Sequence, residues 1–188
     1  MPKKSLSGFV EPMQASSVKE PFDSPGWIFE TKLDGYRAIA VIDSIGKARV
    51  WSRNRLPLEP KFPMALEAIN QLKLRSTILD GEIVALDSKG IPRLQLLQEW
   101  QKRPTAPVIY YLFDVLWSNG RDLTGKTVVQ RRERLEEIVT PVAGIQVDGY
   151  IEAAGKIFSS SRKRKAWKES SRNGRIVCID RGSAHPIG

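Results

Sequence analysis

Trp27-Ile28-Phe29-Glu30-Thr31-Lys32-Leu33-Asp34-Gly35-Tyr36-Arg37-Ala38-Ile39-Ala40-Val41-Ile42 is the stretch that decides the fold. Bulky and polar residues alternate from Trp27 to Lys32, as in a half-buried strand. Leu33-Asp34-Gly35-Tyr36 reads as a turn and Arg37 to Ile42 as a return strand, so a hairpin is expected. Outward from it, Ile45-Gly46-Lys47 turns the chain into a strand at Ala48–Ser52. Met64 to Leu74 carries apolar residues on one helical face. Ile78 to Asp87 reads as a long strand bent or bulged at Gly81. A short helix is expected from Leu94 to Lys102, a charged amphipathic helix from Val128 to Val139, and a further strand from Ile145 to Ile151. Val108 to Leu116 is apolar enough for a buried central strand. Strands joined by short turns, without regular βαβ crossovers, predict an α+β fold of mainly antiparallel sheets with flanking helices.

The chain has 188 residues, enough for one domain with a real core. Cys178 is the only cysteine and His185 the only histidine. A disulfide framework, a Cys/His zinc site and a Ser-His or Cys-His catalytic system built earlier in the chain are therefore excluded. No apolar run approaches the length of a membrane span, and Met1-Pro2-Lys3-Lys4-Ser5 has no apolar segment behind it, so a cytoplasmic address is expected. The net charge of +9 is uneven. Residues 156–188 hold nine basic side chains against Glu169 and Asp180, so seven of the nine net charges lie there. Three segments follow: a lead-in at 1–25, a compact unit at 26–155, and a basic tail at 156–188 that reads as irregular.

Several residues have the chemistry for a site, each with a plain alternative. Lys32 ends a strand beside a glycine turn, flanked by Ile28, Phe29 and Leu33 with Arg37 nearby. Desolvation and like charge would free its amine for nucleophilic attack; a surface hairpin turn is the other reading. Glu82, beside Asp80 and Gly81, is suited to a ribose hydroxyl or a hydrated Mg²⁺, or is a solvated strand end. Arg53 and Arg55 follow a strand and present forked donors to a phosphate, or simply decorate a loop. Phe113 interrupts an aliphatic strand, either to face an adenine ring or to fill the core.

Order and spacing join these signals. Lys32-Leu33-Asp34-Gly35-Tyr36-Arg37 resembles the K-x-D-G-x-R signature of covalent nucleotidyltransferases, in particular ATP-dependent DNA ligases. Ser52-Arg53-Asn54, Leu79-Asp80-Gly81-Glu82 and Phe113-Asp114-Val115-Leu116 resemble their later motifs. Leu86-Asp87-Ser88-Lys89-Gly90 and Arg131-Arg132-Glu133-Arg134-Leu135 resemble the connecting text of the bacterial end-joining type, and the likeness runs from Gly26 to Glu152. It implies a covalent nucleotidyltransferase core (ATP-grasp-like), here an incomplete adenylation domain without the C-terminal OB-fold. By the resemblance Lys32 is the nucleophile toward ATP, and Glu30 lies beside the adenine edge through its backbone. Arg37 and Arg53 hold ribose and phosphate, Glu82 grips the ribose and helps place Mg²⁺, and Phe113 stacks on the base. It also implies nicked or broken double-stranded DNA as partner and a monomeric state. An RNA ligase or capping-type nucleotidyltransferase shares the lysine motif, and a non-catalytic DNA-binding fragment using the basic tail is a further alternative.

The sequence departs from that family late. Where the family has Glu-Gly-Ile-Val-Ala-Lys and then Trp-x-Lys, this chain reads Asn173-Gly174-Arg175-Ile176-Val177-Cys178-Ile179-Asp180. Codon arithmetic suggests an out-of-frame tail. Trp167 must be TGG and Lys168 begins AA, so reading one base early yields GAA, a glutamate. The following junctions permit Gly, Ile, Val, Ala and Lys in order. Such a chain is expected to adenylate itself feebly.

Overall fold

A computed structural model describes residues 8–19, 22, 24, 26–140, 142–152 and 176–184. Its larger sheet has six strands. The central path runs β4 (Ala48–Ser52), β3 (Tyr36–Ile42), β5 (Thr77–Ala85), β6 (Val108–Ser118) and β7 (Arg121–Asp122), all antiparallel, and β8 (Ile145–Val147) adds in parallel to β6. The smaller sheet has the order β1 (Ser16–Val18), β10 (Ile176–Asp180), β2 (Trp27–Thr31), β9 (Tyr150–Glu152), again antiparallel. The mainly antiparallel α+β architecture expected from the strand pattern is what forms.

Helices cover the larger sheet. In α1 (Pro63–Gln71) proline occupies the first turn, where its missing N–H costs nothing. Ala65, Ala68 and Ile69 of α1 are buried against the sheet. The helix stops three residues short of the expected Leu74, because Lys73 takes a left-handed φ of 52°. The short helix α2 (Leu94–Glu99) is mostly exposed, anchors through the buried Leu97, and ends three residues before the expected Lys102. In α3 (Val128–Ile138), Thr127 and Gln130 form a reciprocal capping box that fixes where the helix starts. The face that α3 turns inward carries Val128, Arg131, Arg132 and Leu135, so two arginines are buried in it.

Three expectations need correction. First, β2 and β3 do not form a hairpin. A strand has two edges, and both edges of β2 are taken by β10 and β9, while β3 is filled by β4 and β5. Residues 32–35 therefore carry the chain from one sheet to the other. Second, the expected single strand from Ile145 to Ile151 is two, since Asp148-Gly149 steps the chain from β8 in the larger sheet to β9 in the smaller. Third, the tail expected to be irregular supplies β10, which fills the slot between β1 and β2. Ile176, Val177, Cys178 and Ile179 make up its apolar run, and Cys178 is 4% exposed opposite Phe29. Pairing and burial together outweigh the lack of periodicity around them. Residues 153–175, which carry most of the tail's basic side chains and the expected frame change, lie outside the described residues.

Candidate active site

The seam between the two sheets is shaped by two glycines. At Gly35 an added Cβ would lie 2.1 Å from the carbonyl oxygen of Ile83, so the crossover passes β5 at backbone distance. At Gly81 an added Cβ would lie 2.1 Å from the carbonyl oxygen of Tyr111 and 2.7 Å from the Tyr110 ring. Close approach therefore explains both glycines. Register slips between Asp80 and Gly81: Asp80 pairs with Asp114 and Gly81 with Leu112, leaving Phe113 as the extra residue of a bulge. A bulge frees a side chain from the alternation of its strand. Phe113 is half-buried and turns to a cavity of about 260 Å³.

Of the residues singled out in the sequence, Glu30, Lys32, Arg37, Arg53, Glu82 and Phe113 line that cavity, whereas Arg55 does not and instead pairs with Glu11 on the surface at 3.0 Å. Lys32 stands at its mouth and is exposed, so the expected desolvation is not present. Arg53 is also exposed, in the turn after β4. Arg37 is held firmly. Its Nε and Nη2 donate to Asp80 Oδ1 and Oδ2, both at 2.6 Å, Nη2 also donates to the Met13 carbonyl at 3.0 Å, and its guanidinium lies 4.4 Å from the Phe113 ring centroid. Burial works against its charge, but Asp80 more than offsets this, and the guanidinium pKa is raised.

Glu82 pairs directly with Arg37 across β3 and β5, so both project from one face. Burial pushes its carboxyl up to about 7, against the pull of Arg37 and an N–H from Gly35. Glu30 lies within the smaller sheet, opposite Val177 and Tyr150, and its buried carboxylate accepts a hydrogen bond from Arg132 Nη2. Burial raises its pKa despite Arg132.

Other residues of the site were not singled out beforehand. Arg131 donates to Asp114 from Nε at 2.8 Å and Nη2 at 2.9 Å, fixing the residue next to Phe113. Arg132 ties Glu30 to the Asp148 carbonyl at 2.9 Å. Asp148 lines the cavity, and burial followed by the repulsion of Glu30 pushes its carboxyl up to about 7. Val177 and Ile179 of β10 line it too. The sequence held a signal for the arginines: in an amphipathic helix, the spacing from Val128 and Leu135 puts Arg131 and Arg132 on the apolar side, where a cation needs a buried partner. Asp148 sits between strands without any motif, and had none.

These acids make stability depend on pH in an unusual sense. Between about pH 4.5 and 7 the folded chain holds protons on Glu82 and Asp148 that the unfolded chain has released. The stability is present below the unfolded values and is lost as pH rises through about 7. Thermal melts should show a higher midpoint at pH 5.5 than at pH 8.5, by an amount on the order of 3 kcal/mol in unfolding free energy. A midpoint that falls on acidification over this window contradicts the assignment.

The cavity thus gathers an aromatic ring, exposed cations and a half-buried acid, groups with the chemistry to meet an aromatic, phosphorylated ligand. The family model of the ATP-dependent DNA ligase domain matches residues 12–172, and the chain belongs to that family. It is 34% identical over 138 residues to the multifunctional non-homologous end joining protein LigD of Pseudomonas aeruginosa, covering 73% of this chain and 16% of that protein. It is 30% identical over 133 residues to the SPbeta prophage-derived DNA ligase-like protein LigB of Bacillus subtilis, covering 69% and 47%. Among solved structures, the ligase domain of Mycobacterium tuberculosis LigD superposes with a TM-score of 0.68 at 27% identity, covering 86% of this chain and 51% of that one. A mycobacterial DNA ligase D complexed with ATP and MES gives 0.64 at 26% identity, covering 86% and 50%. The chain thus spans about half of the ligase domains it resembles.

Proposed function

We propose that this chain activates ATP as the first step of DNA ligation. One observation carries the reading: the lysine of the K-x-D-G-x-R motif, the bulged phenylalanine and the facing glutamate share a single cavity with two arginines. Phe113 takes the adenine on its ring, Glu82 the ribose, and Arg37 and Arg53 the ribose and phosphate. Glu30 stands at the adenine edge through its backbone. The Lys32 amine attacks the α-phosphorus in line. An N–P bond forms, the bond to the bridging oxygen breaks, and pyrophosphate leaves with its electron pair. The amine loses its proton, and AMP remains on Lys32 as a phosphoramidate. In ligation the AMP then passes to the 5′-phosphate of nicked or broken double-stranded DNA, so the chain works as a cytoplasmic monomer where ATP and DNA meet.

Among the described residues no group of three acidic, cysteine or histidine side chains is placed to hold a metal ion. Mg²⁺ is commonly held by one or two carboxylates together with substrate phosphates and water, and Glu82 at the cavity wall fits that lesser demand. When bound, the ion offsets charge on the departing pyrophosphate.

Residues 156–188 are read as an out-of-frame continuation, which removes the acid and lysine that the family carries there. Self-adenylation is then slow, because part of the charge stabilisation is missing. Sequencing the coding region tests the frame: a single-base shift between about codons 153 and 166 should open the family's segment. Incubation with labelled ATP and Mg²⁺ tests the chemistry. Slow covalent labelling, absent in Lys32→Ala, is expected; equal labelling of both proteins refutes the assignment.

A further inference from the structure

Arg55 lies outside the cavity, and its backbone takes a left-handed φ of 58°. Glycine adopts that conformation freely, whereas a residue with a Cβ resists it. The turn is tied at both ends. The Arg55 N–H donates to the Ser52 carbonyl at 2.9 Å, the Leu56 N–H to Ser52 Oγ at 3.1 Å, and the Ser52 N–H to the Leu56 carbonyl at 2.8 Å. Arg53 stands inside that turn and lines the cavity. A residue held in a sparsely populated conformation needs surroundings that over-determine it. Here the lead-in supplies them.

Phe9 and Val10 pack on the apolar patch of Ile39, Ile78, Leu116 and Trp117. Arg55 Nη2 donates to Glu11 Oε1 at 3.0 Å, and its guanidinium lies 5.1 Å from the Phe9 ring centroid. Two residues further on, the Met13 carbonyl accepts from Arg37, and Met13, Gln14 and Ala15 line the cavity. The lead-in is therefore one wall of the cavity, and Arg55 joins that wall to the turn carrying Arg53.

We propose that Arg55 is a positioning residue: by gripping Phe9 and Glu11 it clamps the Arg53 turn to the lead-in and fixes the Arg53 guanidinium at the cavity. The inference rests on the nucleotide-binding reading given above, in which Arg53 meets phosphate. Arg37 depends less on the clamp, because both of its Asp80 bonds are independent of the lead-in. The Glu11 and Arg55 side chains are 60% and 64% exposed, so their pair adds little to global stability. Its effect is local order in two adjoining segments.

The test joins hydrogen exchange to equilibrium binding of an ATP analogue with a methylene in place of the α,β-bridging oxygen, from which no pyrophosphate can leave. The full chain is compared as wild type, Glu11→Gln and Arg55→Gly. In Glu11→Gln, amides in residues 8–14 and 51–57 should exchange faster and the analogue should bind more weakly, each by roughly threefold, the scale of one exposed ion pair. The sign is decisive. Removing a negative charge beside the Arg53 turn would by attraction alone tighten the binding of a polyphosphate, whereas loss of the clamp weakens it. Arg55→Gly relieves the backbone strain and should nevertheless quicken exchange in the same segments. Because the clamp acts through Arg53, Glu11→Gln should no longer weaken binding when introduced into Arg53→Ala. Unchanged or tighter binding in Glu11→Gln overturns the proposal, as does exchange that neither variant alters. A loss of affinity that persists undiminished in Arg53→Ala reflects general damage and overturns it too. A wild type that binds no analogue sinks the nucleotide reading and takes the inference with it.

Discussion

Arg131→Met should lower the unfolding free energy by about 3–5 kcal/mol, the usual cost of breaking a buried ion pair from one side. Arg131 is fully buried and Asp114 is 4% exposed. Besides the two bonds to Asp114, Arg131 donates from Nη1 to the Lys126 carbonyl at 2.6 Å. Methionine keeps most of the apolar stem but strands the Asp114 carboxylate, which among the described residues then retains the Val115 N–H at 2.8 Å. Urea denaturation measures the loss. The double variant Arg131→Met/Asp114→Leu removes both charges and should recover much of it, since the penalty lies in the orphaned charge more than in the absence of the pair. A cost below about 1 kcal/mol for the single variant would show that water reaches Asp114, contrary to the burial described.

Gly81→Ala should cost about 3 kcal/mol, at the upper end of what forced overpacking usually produces. The obstacle is the Tyr111 carbonyl, a backbone atom fixed by the β5–β6 ladder, so no side-chain rotation relieves it. β5 and β6 must part where Phe113 is bulged outward, and the ring moves with them. Gly35→Ala meets a similar obstacle in the Ile83 carbonyl and has a second effect. It displaces the crossover that carries Lys32 and weakens the N–H bond from Gly35 to Glu82. Chemical denaturation should show both variants destabilised, while covalent labelling at a temperature where each remains folded should fall further for Gly35→Ala. Equal loss of labelling in the two would assign the effect to stability alone.

The longer strands β2 to β6, the helices, and the motifs that hold Lys32, Arg37, Glu82 and Phe113 were legible because each carries a local signature: alternation, an apolar run, helical spacing, or a motif of fixed length. Strand pairing was not. Leu33-Asp34-Gly35-Tyr36 satisfies the chemistry of a hairpin turn, and only β9 and β10, more than a hundred residues further on, deny β2 that pairing. Asp148 escaped notice for the same reason, since its neighbours Glu30 and Leu112 are distant in sequence. Arg131 and Arg132 carry a subtler signal, their spacing on the apolar face of a helix, which calls for buried anionic partners that lie far away in sequence. The assignment of the last residues as irregular rested on the missing periodicity around Val177-Cys178-Ile179. A short apolar run, Ile176 to Ile179, suffices when the slot awaiting it is already flanked by two strands.

The position of β10 also orders events as the chain leaves the ribosome. Residues 36–147 contain every strand of the larger sheet, with α1, α2 and α3 among them, so that layer can consolidate early from comparatively local pairings. β1 has β10 as its neighbour in the smaller sheet and waits for it, although it is the first strand made. One wall of the cavity thus closes only when Ile176–Asp180 has been synthesised, and until then the nascent chain carries Lys32 beside an open sheet edge.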